Sequence, residues 1–251
     1  MIVAREVGVL AGVEVAKAVW RTIDPEVRFR ALLHDGSKLE PSNGGDGSGS
    51  GVIAELDGPV TSILKGERTA LNFLQHMSGI ATETSRYVAA VSGYEAQVLD
   101  TRKTVPGLRA LQKYAVRAGG GRNHRMNLGD GVLIKDNHIA ATRRSGLTLA
   151  EVVGRARAAC SDTVKIEVEV EDIEQVSEAL EAGSDILMLD NMSTEAMAAA
   201  VALAKGRALT EASGGITLEN VAEVAATGVD LISVGALTHS VRALDISLDL
   251  L

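Results

Sequence analysis

The chain has 251 residues, 46% of them hydrophobic and 23% charged, enough to bury a large core and far from a disordered composition. A net charge of -8 and an aromatic content of 2% count against duplex binding, which needs many phosphate contacts, and against single-strand platforms, which stack bases on rings. One cysteine, Cys160, excludes an internal disulfide and a thiolate zinc cluster and fits a reducing cytoplasm, and no run reaches the about 18 apolar residues of a membrane span.

The first part of the chain reads as a small α+β unit. Ile2–Val9 alternates and carries Arg5 and Glu6 inside its apolar part, which predicts a strand and not a cleaved signal peptide. A short helical run, Val13–Trp20, follows. Val27–Leu33 alternates again, with Val27, Phe29, Ala31 and Leu33 on one face, and Val52–Leu56 adds another strand. Between them Asn43–Gly51, NGGDGSGSG, has the composition of a linker or hairpin tip. It lacks the Lys-Ser/Thr pair and the following apolar helix of a phosphate loop. From Gly66 the pattern turns helical, with Leu71, Leu74, Met77 and Ile80 at three-residue intervals. Arg68 falls in the predicted first turn, where the helix dipole disfavours a cation, so either an anion gathers there or the position is an idle surface one.

From Glu95 onward strands and helices alternate. Predicted strands are Gln97–Leu99, Gly131–Ile134, Lys165–Val170, Ile186–Leu189, Ala208–Thr210 and Leu231–Val234. Predicted helices are Leu108–Ala118, Leu149–Ala159, Ile173–Ala182, Glu195–Ala204 and Leu218–Thr227. This order indicates βαβ crossovers and a parallel sheet. About six strands, with no Gly-x-Gly-x-x-Gly after the first, favour a barrel over a doubly wound dinucleotide fold.

Eight of the 25 Lys and Arg residues lie between Arg102 and Lys135, with Asp130 the one acidic residue among them, a cationic island suited to a small, multiply charged anion. Barrel sites form at the carboxyl ends of the strands. Those ends carry Asp100–Lys103, Lys135, Glu167 and Glu169, Asp190–Asn191, Glu211 with Ser213–Gly215, and Gly235–Ala236. Arg102 and Arg125 offer planar forks for carboxylates, Lys103 and Lys135 point charges, and the late glycine turns backbone N–H groups for a phosphate. Glu169 and Asp190 suit ribose hydroxyls or Mg²⁺. Glu167 and Glu169 lie two apart, on one face of a central strand that has no solvent edge. Arg109, Lys113 and Arg117 recur every four residues and read as a solvated or subunit-facing helix stripe. His124, His138 and His239 do not have the spacing of a compact zinc site.

The run DTRKTVPGLRALQKYAVRAGGGRNHR, with LIKDNHI after it, GERTALNFLQHMSGIAT before it and EVEVE, LDNMS, EASGGIT and ISVGALTHS beyond, resembles the quinolinate phosphoribosyltransferases. The resemblance extends over nearly the whole chain, from Ile2 to Leu250. It implies an α/β fold, an open parallel α/β barrel with an N-terminal α+β sandwich domain. The domains would be residues 1–80, joined by the tail 243–251, and 81–242. It implies a pentosyltransferase that converts quinolinate and phosphoribosyl pyrophosphate, with Mg²⁺, to nicotinate mononucleotide, pyrophosphate and CO₂ in NAD biosynthesis. It also implies a cytoplasmic homodimer with shared sites. By motif, Arg68 would enter the neighbour's site. Arg102, Arg125 and Lys135 would clamp the quinolinate carboxylates, with Thr101, Lys103 and His124 beside them. Lys103, Glu169 and Asp190 would be catalytic, Glu169 and Asp190 facing ribose and metal. Ser213, Gly214, Gly215, Gly235 and Ala236 would cradle the 5-phosphate, with His239 near. The chain departs from the family pattern in the longer, Gly/Ser-rich Asn43–Gly51. It also departs at Met1, which stands almost on a strand where the family has a helical segment that helps dimer packing. A non-enzymatic phosphate sensor would need only the late glycine turns, and the presence of Lys103, Glu169 and Asp190 speaks against it.

Overall fold

The computed structural model describes residues 1–41 and 51–250. In chain order its elements are β1 (Ile2–Ala4), β2 (Gly8–Val9), α1 (Val13–Ile23), β3 (Arg28–Ala31), β4 (Lys38–Leu39), β5 (Val52–Asp57) and α2 (Val60–Ala90). There follow β6 (Gln97–Leu99), α3 (Arg109–Ala118), β7 (Val132–Ile134), α4 (Asp136–Arg144), α5 (Leu149–Ala159), β8 (Ile166–Val170) and α6 (Ile173–Glu181). The last are β9 (Ile186–Asp190), α7 (Thr194–Ala204), β10 (Leu209–Ser213), α8 (Val221–Ala226), β11 (Leu231–Ser233), α9 (Ala236–His239) and β12 (Ile246–Leu248). The chain forms two compact units, one of Met1–Arg86, Lys103–Gly121 and Ala236–Leu251, the other of Tyr87–Arg102 and Arg122–Gly235. No described helix is long and apolar enough to cross a membrane.

In the first unit an antiparallel sheet has the order β12-β1-β5-β3, so the end of the chain returns to pair with its beginning, Ile2 opposite Leu248. Ile2–Val9 is not one strand. The backbone N–H of Arg5 goes to the Asp245 carbonyl and its guanidinium to Asp249, while Gly8–Val9 pairs with β4 in a separate two-stranded sheet. Of Asn43–Gly51, all but Gly51 lies outside the described residues; the Gly51 carbonyl accepts the N–H of Ala4. The core gathers Ile2, Leu10, Trp20, Ile53 and Leu74. Trp20 is fully buried and donates Nε1–H to the Ile63 carbonyl at 3.0 Å. Gly66 is what admits it: a Cβ there would stand 2.4 Å from Trp20 Nε1, so the helix tolerates a glycine to let the indole in.

Two expectations about charge fail in this unit. Helix α2 begins at Val60, so exposed Arg68 sits well inside it, and the dipole argument does not apply. The Leu71, Leu74, Met77 and Ile80 stripe is buried as expected. On α3, Lys113 is fully buried, not part of a solvated stripe; only Arg117 is exposed, over the Tyr114 ring. Four-residue spacing places side chains on one face but does not say which face meets water.

The second unit is built on a parallel six-stranded sheet, order β6-β11-β10-β9-β8-β7. A further stave was missed in the sequence: Arg122 bridges Leu99 in parallel, its N–H to the Val98 carbonyl and its carbonyl to the Asp100 N–H. One bridged residue is too short to show a period. Helix α4 was also unforeseen, since nine residues bearing Arg143 and Arg144 have no buried face. Elsewhere the local signals are good. Thr148 and Glu151 form a reciprocal capping box, and Asp172 and Ser193 each accept the N–H three residues on. Strand β10 runs further than expected, to Ser213, and α8 starts later, at Val221, because Asn220 is spent on the Gly215 carbonyl and the Thr217 N–H. Every residue of β8 is buried, as a strand between two neighbours requires.

Candidate active site

Cross-strand partners in a parallel sheet share a face, so the register sorts the site residues. Glu167 pairs with Ile186, Glu169 with Met188, Glu211 with Met188, and Ser213 with Asp190, which places Glu167, Glu169, Asp190, Glu211 and Ser213 on one face of the sheet. Along that face there are two levels. Asp190 and Ser213 end β9 and β10 and Glu169 stands one residue from the end of β8, whereas Glu167 and Glu211 lie within their strands, Glu211 in register with Glu169 through Met188 but turned to His124.

At the carboxyl ends, β7 passes through Lys135 directly into α4. Lys135 Nζ donates to Glu169 Oε2 at 2.6 Å, and the N–H of Asp136 points at Glu169 Oε1 from 3.5 Å. Glu169 is therefore a buried carboxylate held between a lysine and the positive end of a helix. The Lys135 N–H is taken by His138 Nδ1, which settles His138 as a local cap. Thr101 and Arg102 follow β6 and are half-buried. Burial holds the Arg125 guanidinium below its ordinary pKa, and the neighbouring charge of Arg102 lowers it further. Two guanidinium groups near enough to repel are of the kind that suits an anion of more than one charge.

At the end of β10 the backbone turns through Gly214 (φ 86°) and Gly215 (φ 61°), both left-handed. Asn191, after Asp190, is itself left-handed at φ 53° and donates its N–H to the Ser213 carbonyl. A Cβ on Gly214 would fall 2.2 Å from Asn191 Oδ1, so the two turns interlock and only glycine fits. Gly235 follows β11 on the same edge of the sheet.

Arg68, Lys103, Ala236 and His239 belong to the first unit. Thr238 ties two of their segments together: its hydroxyl donates to the Lys103 carbonyl at 2.8 Å, and its own carbonyl accepts Gln112 Nε2–H at 2.9 Å. Lys103 and His239 are exposed, and His239 Nδ1 meets the Ser240 hydroxyl.

The deeper level holds a cluster that sequence reasoning did not assemble. His124 Nε2 lies 3.2 Å from Glu167 Oε2 and 3.4 Å from Glu211 Oε2, with Glu167 4% and Glu211 1% exposed. Buried Asp100 anchors the segment, accepting the His124 N–H at 2.9 Å and Asn123 Nδ2–H at 2.5 Å. Burial disfavours a charged imidazole, and the two carboxylates act against it by stabilising a proton on Nε2. Burial raises the Glu167 pKa. Nδ1 accepts the Arg125 N–H at 2.8 Å, so the ring proton sits on Nε2, facing the carboxylates. These are the one set of three or more His/Cys/Asp/Glu groups among the described residues whose ligand atoms converge, and a metal at Nε2 would move the ring proton to Nδ1 and break the Arg125 hydrogen bond. His124, Glu167 and Glu211 instead line, with Leu99, a cavity of about 560 Å³ that also takes in Gln97, Ile186 and Leu231, the first residues of β6, β9 and β11. Lys135, Glu169, Asp190 and Ser213 do not line it. The cavity lies toward the amino-terminal half of the strands and Arg125 lines it too, whereas Lys135 stands at the carboxyl end of β7.

Two family models together match almost all of the chain: the quinolinate phosphoribosyl transferase N-terminal domain at residues 1–78 and the C-terminal domain at residues 80–249. The chain is 46% identical over 250 residues to a probable nicotinate-nucleotide pyrophosphorylase [carboxylating] of Bacillus subtilis, covering 99% of this chain and 82% of that one. It is 46% identical over 253 residues to the nicotinate-nucleotide pyrophosphorylase [carboxylating] of Mycobacterium leprae, covering 99% and 84%. Among solved structures, NadC from Streptococcus pyogenes superimposes with a TM-score of 0.90 at 44% identity, covering 99% of this chain and 84% of that one. With sequence, domain order and architecture in agreement, this chain belongs to the quinolinate phosphoribosyl transferase family.

Proposed function

We propose that this chain transfers the phosphoribosyl group of phosphoribosyl pyrophosphate to quinolinate with loss of CO₂, giving nicotinate mononucleotide and pyrophosphate. The observation that carries it is the pairing of Arg102 with Arg125 on a unit whose strand ends also bear Lys135, a receptor with more positive charge than a monocarboxylate needs. Arg102, Arg125 and Lys135 hold the two carboxylates and so aim the pyridine nitrogen at C1 of the ribose. The Ser213–Gly215 turn and Gly235 present backbone N–H groups to the 5-phosphate. Family likeness adds Thr101, Lys103, His124, Ala236 and His239 to the substrate contacts.

As the nitrogen attacks C1, the bond from C1 to the pyrophosphate oxygen breaks, and the ribose takes on oxocarbenium character. Glu169 and Asp190 stabilise that charge electrostatically. The ring nitrogen is then cationic. The bond to the 2-carboxylate breaks, its electron pair stays on the ring carbon, and a proton replaces CO₂ there. The clamped second carboxylate is retained. Glu169 and Asp190, hard oxygen donors on one face of adjacent strands and two residues apart in register, are of the chemistry that suits Mg²⁺. A Mg²⁺ ion held there would neutralise the departing pyrophosphate. Free Cys160 is in keeping with a cytoplasmic enzyme.

Incubating the protein with quinolinate, phosphoribosyl pyrophosphate and Mg²⁺ should yield nicotinate mononucleotide and CO₂ in equal amounts; a folded protein that forms neither does not have this activity. We further propose a homodimer in which Arg68 of one subunit serves the other's site. Mixing Arg68→Ala with Lys135→Ala subunits should then recover activity, because some hybrid dimers carry one intact site. Hybrids as inactive as their parents would remove Arg68 from that role.

A further inference from the structure

The His124 cluster is an expensive arrangement if it serves the fold alone. Two carboxylates buried to within a few per cent share one imidazole, and Oε1 of each is buried with no hydrogen-bond partner among the described residues. Well-packed apolar side chains would fill such a barrel layer at lower cost. Leu99, Glu167 and Glu211 come from β6, β8 and β10, alternate strands of the sheet order, the arrangement that builds one layer of a parallel barrel. His124 enters that layer from the segment beside β6, gripped from two directions. Asp100 takes its backbone N–H, and the two glutamates take its ring at Nε2. The remaining ring nitrogen, Nδ1, accepts the backbone N–H of Arg125, and the Arg125 guanidinium is fixed by Nη1–H donation to the Gly131 carbonyl at 3.0 Å.

We propose that Glu167 and Glu211 are positioning residues for the quinolinate clamp: by fixing the His124 ring they set the backbone, and hence the guanidinium, of Arg125. The inference rests on the activity proposed above and extends it to two glutamates that carry no assigned role. The chain of contacts is short. A ring rotated to satisfy a lost carboxylate gives up the Arg125 N–H, and a shift of about 1 Å in a clamping guanidinium is enough to spoil a bidentate contact. Glutamate at both positions serves better than glutamine because two acceptors make the ring's orientation unique, whereas a glutamine amide can also present its donor to Nε2–H.

The test compares the unmodified enzyme with Glu211→Met and Glu167→Met, which keep volume and remove the acceptor. Each should raise the KM for quinolinate about tenfold, the loss of one charge-assisted hydrogen bond, and leave the KM for phosphoribosyl pyrophosphate within about twofold. A residue needed only for folding would lower the melting temperature and the active fraction without separating the two KM values. Glu211→Gln, which retains an acceptor oxygen, should recover most of the quinolinate affinity; should the methionine variants not fold, a Glu211→Gln enzyme whose two KM values rise together overturns the proposal. In a His124→Asn background, Glu211→Met should add less than about twofold to the quinolinate KM, because its route of action is gone. An unchanged quinolinate KM in the methionine variants, equal changes in both KM values, or full additivity with His124→Asn overturns the proposal. An unmodified enzyme without turnover fails the activity proposal instead, and quinolinate binding measured by calorimetry still decides the positioning question.

Discussion

Lys135→Ala is expected to lower kcat/KM by two to three powers of ten, roughly the value of one charge-assisted contact made to substrate in a water-poor site. Lys135 Nζ donates to Glu169 Oε2 at 2.6 Å, and the lysine side chain is 48% exposed while Glu169 is buried. The substitution thus has two effects of different kinds. It removes a cation from the anion receptor, and it leaves a buried carboxylate with only the N–H of Asp136 at 3.5 Å. Breaking a fully buried pair costs about 3–5 kcal/mol, and the half-exposed lysine reduces this to about 1–3 kcal/mol. A second substitution separates the effects. Lys135→Ala combined with Glu169→Gln should regain melting temperature, since no charge is stranded, and should regain no activity. Thermal melts and initial rates on the two proteins suffice. A Lys135→Ala enzyme turning over near the normal rate would remove Lys135 from the clamp.

Gly214→Ala should weaken phosphoribosyl pyrophosphate binding about tenfold or more while leaving quinolinate binding nearly intact. Gly214 lies at φ 86°, where an alanine costs about 1–2 kcal/mol, and its Cβ would overlap Asn191 Oδ1 at 2.2 Å. The relief is to displace Asn191, itself left-handed and joined to Ser213 through its N–H, so both turns of the proposed phosphate cradle move. Gly146→Ala is the control. Its φ of 78° is equally left-handed, but nothing stands within 4 Å of the added Cβ. That variant should lose stability alone, with both substrate KM values unchanged. If Gly214→Ala behaves like Gly146→Ala in steady-state kinetics, the Ser213–Gly215 turn does not hold the phosphate.

Much of the candidate site was legible because its residues sit where a repeating pattern ends. Lys135, Glu169, Asp190 and Ser213 each lie at or within one residue of a strand's end, and strand ends are visible as the point where apolar alternation gives way to polar or glycine residues. Helices α5, α6 and α7 were legible for a similar reason, since their caps, Thr148, Asp172 and Ser193, satisfy N–H groups only three residues away. Short-range physics also explains the failures. The Arg122 bridge and α4 are too short or too polar to carry a period, and Arg68 was misplaced because α2 begins earlier than its clearest apolar stripe.

The sequence by itself therefore determined the family, the alternation of parallel strands with helices, and which polar and charged residues stand at the strand ends. These depend on residue type and on spacing within one element. Only the tertiary structure decided which charges are buried. Lys113 looks like its stripe-mates Arg109 and Arg117 yet is wholly inside, and Glu211 looks like any strand glutamate yet faces His124 beside Glu167. The reason is that burial and ion pairing are properties of a residue's neighbours in space. His124, Glu167 and Glu211 come from three separate segments, and only the pairing of strands that brings β8, β10 and the segment beside β6 onto one face makes them a unit.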